Sequence, residues 1–150
     1  MQQQRYHLSE LPTLVGKEIG VSDWFLIDQD RISRFAEVTE DRQWIHVDEA
    51  RAKAAMGGTI AHGFLTLSLL SHLAAGILHF DGVRSGLNYG CDRVRFTCPV
   101  ASGSRVRLRM TLSEANEVSG GWALKYHCVM EIEGNEKPAL VADWLARLYA

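Results

Sequence analysis

The chain has 150 residues, of which 47% are hydrophobic and 23% charged, and its formal net charge at pH 7 is −2. These values are typical of one soluble globular domain with a real hydrophobic core, and the balanced charge gives no reason to expect a nucleic-acid partner. The apolar run at 64–80 is interrupted by polar residues and too short for a typical membrane span. Three cysteines without metal-like spacing and an N-terminus without a signal-peptide stretch predict a cytoplasmic protein with free thiols.

The first half of the chain predicts one strand and several short helices. Asp28 and Asp48 are each well placed as the N-cap of a helix, and Gly57 with Gly58 ends the second of these helices. The predicted elements are a short helix or turn at 8–15, a strand at 17–27, a helix at 29–38, a turn at 39–45 and a helix at 49–55.

The second half predicts one long helix followed by strands. Residues 63–80 are apolar on nearly every side of a helix, which indicates a buried element. The strands are predicted at 85–97, 105–112, 122–130 and 140–149, with alternating burial and a hairpin signal at Gly120-Gly121. Helices followed by consecutive amphipathic strands favour an α+β fold with an antiparallel sheet.

Asp41 and His46 are the candidate catalytic residues. Five residues correspond to about 140° of rotation on a regular helix, so the two side chains converge only if the backbone turns between them. A carboxylate and an imidazole brought together in this way can hold and activate a water molecule. An isolated pair with this spacing is common, and a helix cap together with a structural histidine is the alternative interpretation.

The surrounding residues resemble a known family. Phe35-Ala36, Thr39, Asp41, His46 and Asp48, followed by the continuous stretch 58–66, are similar to the hydratase signature of the MaoC-like family, which includes the (R)-specific enoyl-CoA hydratases. The amino-acid sequence of residues 41–46 is most similar to that of the nodulation-protein-N-like branch. The resemblance implies a single MaoC-like domain over 1–150 with the hot dog fold, an antiparallel sheet wrapped around one long apolar helix. Glu40 stands where the common form has Gly, and Gln43-Trp44 stand where it has Asn-Pro, so the substrate preference of that form is not carried over.

The resemblance also implies roles for individual residues. Asp41 and His46 would hold the water that adds across the 2,3-double bond of an enoyl thioester and gives an (R)-3-hydroxyacyl product. The Gly63 N–H would bind the thioester carbonyl, although a glycine there also suits a crowded helix start. Ser71 would line the acyl pocket or bond to a carbonyl of the preceding helical turn, and Asn88 matches a position that faces the site.

Other features predict less. His62 is expected to be structural, and the histidines lack compact ligand spacing, so no metal and no cofactor is predicted. The arginines of the strands either contact coenzyme A phosphates or form a solvated face, and the second interpretation is preferred. The expected partners are an acyl-CoA or acyl-carrier thioester substrate and a second copy of the chain in a homodimer. A thioesterase and a non-catalytic acyl-thioester-binding accessory protein are the alternative functions.

Overall fold

The computed structural model describes residues 3–150, so the first two residues of the predicted domain over 1–150 lie outside the described residues. A short 3₁₀ turn at Leu8–Glu10 precedes the first helix. The helices are α1 (Leu11–Leu14), α2 (Gln29–Thr39), α3 (Trp44–Val47), α4 (Glu49–Met56), α5 (Gly63–Ser68) and α6 (Leu70–Ile77). The strands are β1 (Gln4–His7), β2 (Glu18–Val21), β3 (Phe25–Ile27), β4 (Leu78–Asp81), β5 (Ser85–Phe96), β6 (Ser104–Val118), β7 (Gly121–Ile132) and β8 (Leu140–Tyr149).

The main sheet is antiparallel and has the strand order β2-β6-β7-β8-β5, with β3 also paired to β6. β6 and β7 form a hairpin whose last pair is Val118 with Gly121, so the predicted hairpin is confirmed, but its turn residues are Ser119 and Gly120 rather than Gly120 and Gly121. β1 and β4 form a separate parallel pair. Because β5 is the last strand of the order, one of its edges is unpaired among residues 3–150.

Alternation along the strands builds the core as predicted. Val106, Leu108, Met110 and Leu112 of β6 are all fully buried, while the residues between them are partly exposed. The buried residues of α5 and α6 pack in the same cluster as this inner face of the sheet. One sheet face therefore covers the helices, and the other faces outward.

The long predicted helix at 63–80 is shorter and less buried than expected. It is divided at Leu69 into α5 and α6 and ends at Ile77, after which residues 78–81 join β1 as a strand. The side chains of Thr66 and Ser68 bond to carbonyls of the preceding turn at 2.7 Å each, a pattern that often bends helices. Phe64, Ser68 and several residues of α6 are exposed in the single chain, so the prediction of burial on every side was wrong.

The predicted strand at 17–27 is two strands, β2 and β3. Ser22 ends the first, and its side chain accepts a hydrogen bond from the Leu108 amide at 2.9 Å, which replaces a backbone partner. The caps are as predicted, since Asp28 accepts from the Arg31 amide and Asp48 from the Arg51 amide. β1 and α3 were not predicted. None of the helices in the described part of the chain has the length and apolar character needed to cross a bilayer.

Candidate active site

A sharp turn follows α2 and places the candidate pair together. Glu40 ends that helix with φ +60 and ψ 12, in the left-handed region, and His46 then lies in the short helix α3. A carboxylate oxygen of Asp41, a ring nitrogen of His46 and a ring nitrogen of His62 lie within 4.8 Å of one another. The turn thus achieves the convergence that a regular helix would prevent.

Two hydrogen bonds fix His46, which is only 6% exposed. Its Nδ1 lies 2.6 Å from the Ile60 carbonyl, which can only accept, so Nδ1 carries the proton and Nε2 has a free lone pair in the neutral ring. Its own carbonyl accepts from the Gln29 side chain at 2.8 Å, and Gln29 in turn accepts from Thr59. Sequence reasoning missed Gln29, because its role depends on contacts with residues far away in the chain.

His62 lies directly against His46. The two rings are stacked with centroids 3.7 Å apart and an interplanar angle of 22°. The Nε2–H of His62 donates to the Asp41 main-chain carbonyl at 2.9 Å. The Phe35 ring also lies against the His62 ring, with a centroid distance of 5.0 Å. Sequence analysis gave His62 a structural role, and nothing in the local pattern indicated this contact with the pair.

Gly63 begins α5, and the amides of a helical first turn have no partners within the helix. A Cβ at this position would lie 2.9 Å from the Phe96 ring, so the crowded-start interpretation of Gly63 has a steric basis. Gly63 and His46 line one cavity of about 220 Å³, together with Cys98 and others. Asp41 is exposed and is not among the residues that line it.

Ser71 and Asn88 lie together, but in a second cavity of about 610 Å³. The Asn88 amide donates to the Ser71 hydroxyl at 3.3 Å, and the Trp144 indole N–H donates to the Asn88 carbonyl oxygen. Ser71 therefore bonds across to β5. The two cavities have no lining residue in common, so the structure separates the predicted site residues into two groups.

Asp41, His46 and His62 also have the donor types and spacing of a small metal site, which the sequence spacing did not suggest. The two imidazole rings are stacked with centroids 3.7 Å apart and nearly parallel planes, and each ring-nitrogen lone pair lies in its own ring plane, so the two lone pairs do not meet at one common atom. A metal ion needs converging ligands. The arrangement therefore fits a water molecule better than a metal, and the absence of a metal stays a prediction.

The arginines of the strands mostly have carboxylate partners on the outward sheet face. Two of them, Arg107 and Arg109, bond to Glu131 at 2.5 and 2.9 Å. Burial opposes ionisation of Glu131, but the hydrogen bonds from Arg109 and Arg107 outweigh it and hold its pKa below the usual range. These pairs support the solvated-face interpretation. The remaining pairs are Arg105–Glu133, Arg109–Glu18 and Arg93–Asp143.

Known proteins match both the sequence and the fold. A family model described as "MaoC like domain" matches residues 10–124. Nodulation protein N of Rhizobium meliloti is 48% identical over 143 residues, covering 93% of this chain and 89% of that protein. The 3-hydroxyacyl-thioester dehydratase Z of Mycobacterium tuberculosis is 41% identical over 145 residues, covering 95% and 96%. The unliganded R-hydratase PhaJ1 structure from Pseudomonas aeruginosa gives a TM-score of 0.70 at 23% identity, covering 90% and 81%.

The structural likeness shows that the sheet and its central helices form the hot dog fold, as the resemblance implied. The family match extends over most of the chain, and the two relatives match nearly its whole length. Family and relatives together indicate hydratase or dehydratase activity. The chain therefore belongs to the MaoC-like hydratase and dehydratase family.

Proposed function

We propose that the protein is an (R)-specific hydratase or dehydratase that acts on 2-enoyl and 3-hydroxyacyl thioesters. The observation that carries this proposal is the approach of the Asp41 carboxylate to the His46 ring, within 4.8 Å, beside the cavity that His46 shares with Gly63. The relative named as a 3-hydroxyacyl-thioester dehydratase, and the neighbour named as an R-hydratase, support this reaction and its stereochemistry.

Asp41 and His46 act on a single water molecule. The free lone pair of His46 Nε2 and the Asp41 carboxylate are both acceptors, so one water can donate a proton to each. In hydration, the pair accepts a proton as the water oxygen bonds to C3 of the enoyl group. A proton is then delivered to C2, so that H and OH are added across the double bond, and dehydration is the reverse.

Gly63 binds the thioester carbonyl through its backbone N–H. Negative charge moves to that oxygen as C3 is attacked, and an amide directed at it stabilises the enolate that forms. Gly63 lines the same cavity as His46, which supports the binding of one thioester by both groups. The close Phe96 ring also disfavours a larger residue at this position, so the two interpretations of Gly63 are compatible.

The larger cavity is suited to the acyl group. Its lining is mainly apolar, from Ala74, Leu78, Tyr126 and Leu148 among others, with Ser71 and Asn88 as polar residues. Both cavities lie along the central helices and β5, since Gly63 and Phe96 border the first and Ser71 and Asn88 the second. An acyl chain that follows this course extends from the reacting carbons towards Asn88.

The functional unit is a homodimer formed through β5. In the described part of the chain this strand has an unpaired edge, and exposed β-edges are usually covered in native proteins. Large apolar side chains are exposed along it and on the adjoining helix. They are Leu87 (54%), Tyr89 (64%), Phe96 (47%) and Phe64 (68%). A second copy of the chain would pair the edge and bury these side chains, and we place the dimer in the cytoplasm, where free cysteines are stable.

The test is hydration of crotonyl-CoA, followed as the loss of enoyl absorbance. The proposal predicts a decrease that depends on enzyme concentration, without release of free thiol. Release of thiol would instead identify a thioesterase, and binding without either signal would identify an accessory protein. Repeating the assay with enoyl-CoA substrates of longer acyl chain, and with enoyl thioesters of an acyl carrier protein, would define the preferred chain length and carrier.

A further inference from the structure

His62 contacts both members of the proposed pair, through two different kinds of contact. Its Nε2–H donates to the Asp41 main-chain carbonyl at 2.9 Å, which anchors the turn from which the Asp41 side chain projects. Its ring stacks on His46 at 3.7 Å and 22°. No hydrogen bond joins the Asp41 and His46 side chains among the bonds found in the described residues, so the geometry between them depends on what holds each one.

We propose that His62 is a positioning residue of the active site, which holds the Asp41 main chain and the His46 ring in the orientation needed to bind one water molecule between them. This inference rests on the proposed function of the pair. His62 is not among the residues that line the cavity shared by His46 and Gly63, so it acts through its neighbours rather than on substrate.

The hydrogen bonding of His62 explains why an imidazole, rather than an apolar ring, lies at this position. The Asp41 carbonyl can only accept, so the neutral ring is the Nε2–H tautomer and Nδ1 carries a lone pair. That Nδ1 is buried and, among the described residues, has no hydrogen-bond partner. Buried polar atoms are normally paired, and an unpaired one weakens folding. An apolar ring would avoid this cost, so the imidazole is explained by the bond that its Nε2–H makes.

The contacts on His46 are complementary. The bond from His46 Nδ1 to the Ile60 carbonyl sets the direction in which Nε2 points within the ring plane. Stacking on His62 sets the plane itself. A lone pair is directional, so both constraints are needed to aim Nε2 at a water held by Asp41.

His62 also links the turn to the start of α5. Its carbonyl accepts hydrogen bonds from the Leu65 and Thr66 amides at 3.0 and 3.3 Å, so its main chain forms the first turn that contains Gly63. The side chain reaches Asp41 and His46 while the main chain sets the position of the proposed oxyanion amide. His62 thereby fixes the position of Asp41 and His46 relative to the Gly63 N–H.

Two substitutions separate the two contacts. His62→Phe keeps a ring that can stack on His46 but removes the donor to Asp41. His62→Gln keeps a donor near the position of Nε2 but removes the ring. The control is His72→Gln, because His72 also packs on a phenylalanine, Phe25, at a centroid distance of 5.0 Å but contacts neither member of the pair.

Both His62 variants should lower kcat by about 10- to 100-fold, the scale of a sub-ångström to ångström misplacement, while KM changes little. The control should keep the wild-type kcat. Hydration kinetics would be measured well below the melting temperature of each variant. Wild-type kcat in both His62 variants, or a loss that only follows the folded fraction, would overturn the proposal.

A second measurement does not depend on activity. Long-range ¹H–¹⁵N NMR of the imidazoles should show the Nε2–H tautomer for His62 and the Nδ1–H tautomer for His46 in the wild-type protein. The His46 signals should move in both His62 variants and remain in place in the control. An Nδ1–H tautomer of wild-type His62, or unchanged His46 signals in the variants, would refute the positioning role. A wild-type protein with the expected NMR signals but without hydratase activity would instead refute only the proposed function.

Discussion

Replacing the members of the pair tests both the chemistry and the environment of each residue. Asp41→Asn keeps the side-chain shape but removes the acceptor charge, and His46→Gln removes the imidazole. General acid–base groups contribute on the order of 10²–10⁴-fold each, so each variant should lower kcat by about that factor. If both residues hold the same water, as proposed, the double variant should lose much less than the product of the two single losses.

The structure distinguishes the two variants in stability. Asp41 is exposed, and substitutions at exposed positions usually change stability by less than about 0.5 kcal/mol. His46 is buried and its Nδ1–H bonds to the Ile60 carbonyl at 2.6 Å. Leaving that carbonyl unpaired should cost about 1–3 kcal/mol. From sequence alone both substitutions would be expected to leave stability nearly unchanged, and burial of His46 changes that expectation.

His46→Asn separates the two effects. The Asn amide nitrogen lies close to the position of Nδ1, so this variant keeps a donor for the Ile60 carbonyl while it removes Nε2. It should therefore be more stable than His46→Gln and equally impaired in kcat. The measurements are hydration kinetics and urea unfolding on all variants. Near wild-type kcat in folded Asp41→Asn and His46→Asn would show that the pair has been misassigned.

Three further predictions concern the product, the assembly and the fold. Hydration should give the (R)-3-hydroxyacyl thioester, so an (S)-specific 3-hydroxyacyl-CoA dehydrogenase should produce no NADH from it, and a strong signal would contradict the geometry. Sedimentation at micromolar concentration should show a dimer, and a monomer alone would contradict pairing through β5. Burial opposes ionisation of Asp143, but the hydrogen bonds from His127 and Arg93 outweigh burial and lower the pKa of this carboxyl group. The ionised carboxylate therefore stabilises the fold at pH values above the usual carboxyl pKa, and this contribution is lost as the pH falls through the lowered pKa of the folded state. The difference in urea midpoint between wild type and Asp143→Asn should therefore shrink as pH falls from about 6 to about 3, and a constant difference would contradict this assignment.

The sequence predicts the strands and caps well because those signals are local. Alternation along β6, the caps at Asp28 and Asp48, and the hairpin after β6 each depend on residues within a few positions of one another. The division of the strand at Ser22 depends on a side-chain bond to Leu108, 86 positions away, and no local pattern indicates it. β1 was missed for the same reason, since it pairs with β4, more than 70 positions away (Gln4 with Leu78).

The candidate site divides in the same way. Asp41, His46 and Gly63 were predicted from an ordered motif. The supporting contacts were not, because Gln29 reaches the His46 carbonyl across 17 positions and His62 reaches the Asp41 carbonyl across 21. Whether a histidine supports a site depends on what its ring contacts, which its sequence position alone does not determine.

Glu40 stands at the turn after α2, where the common form of the family motif has Gly. The residue lies at φ +60, where glycine has no steric penalty and other residues are disfavoured by roughly 1–2 kcal/mol. Glu40→Gly should therefore be neutral or stabilising, although glycine also costs entropy in the unfolded chain. Glu37→Gly, within α2 and exposed, should cost about 1 kcal/mol in urea unfolding. Equal losses in the two variants would contradict the strain attributed to Glu40.

Gln43 and Trp44 replace two residues of the common form that favour the start of a helix. Asn is a strong N-cap and Pro is favoured at the first helical position, and the common form has these residues where this chain has Gln43 and Trp44. Trp44 begins α3, and in the described part of the chain the Gln43 side chain does not cap it. The Arg51 guanidinium of α4 instead lies 4.2 Å from the centroid of the Trp44 ring and joins the two helices. Since His46 lies in the same short helix, contacts from other elements, rather than local backbone preference, hold the proposed catalytic histidine in place.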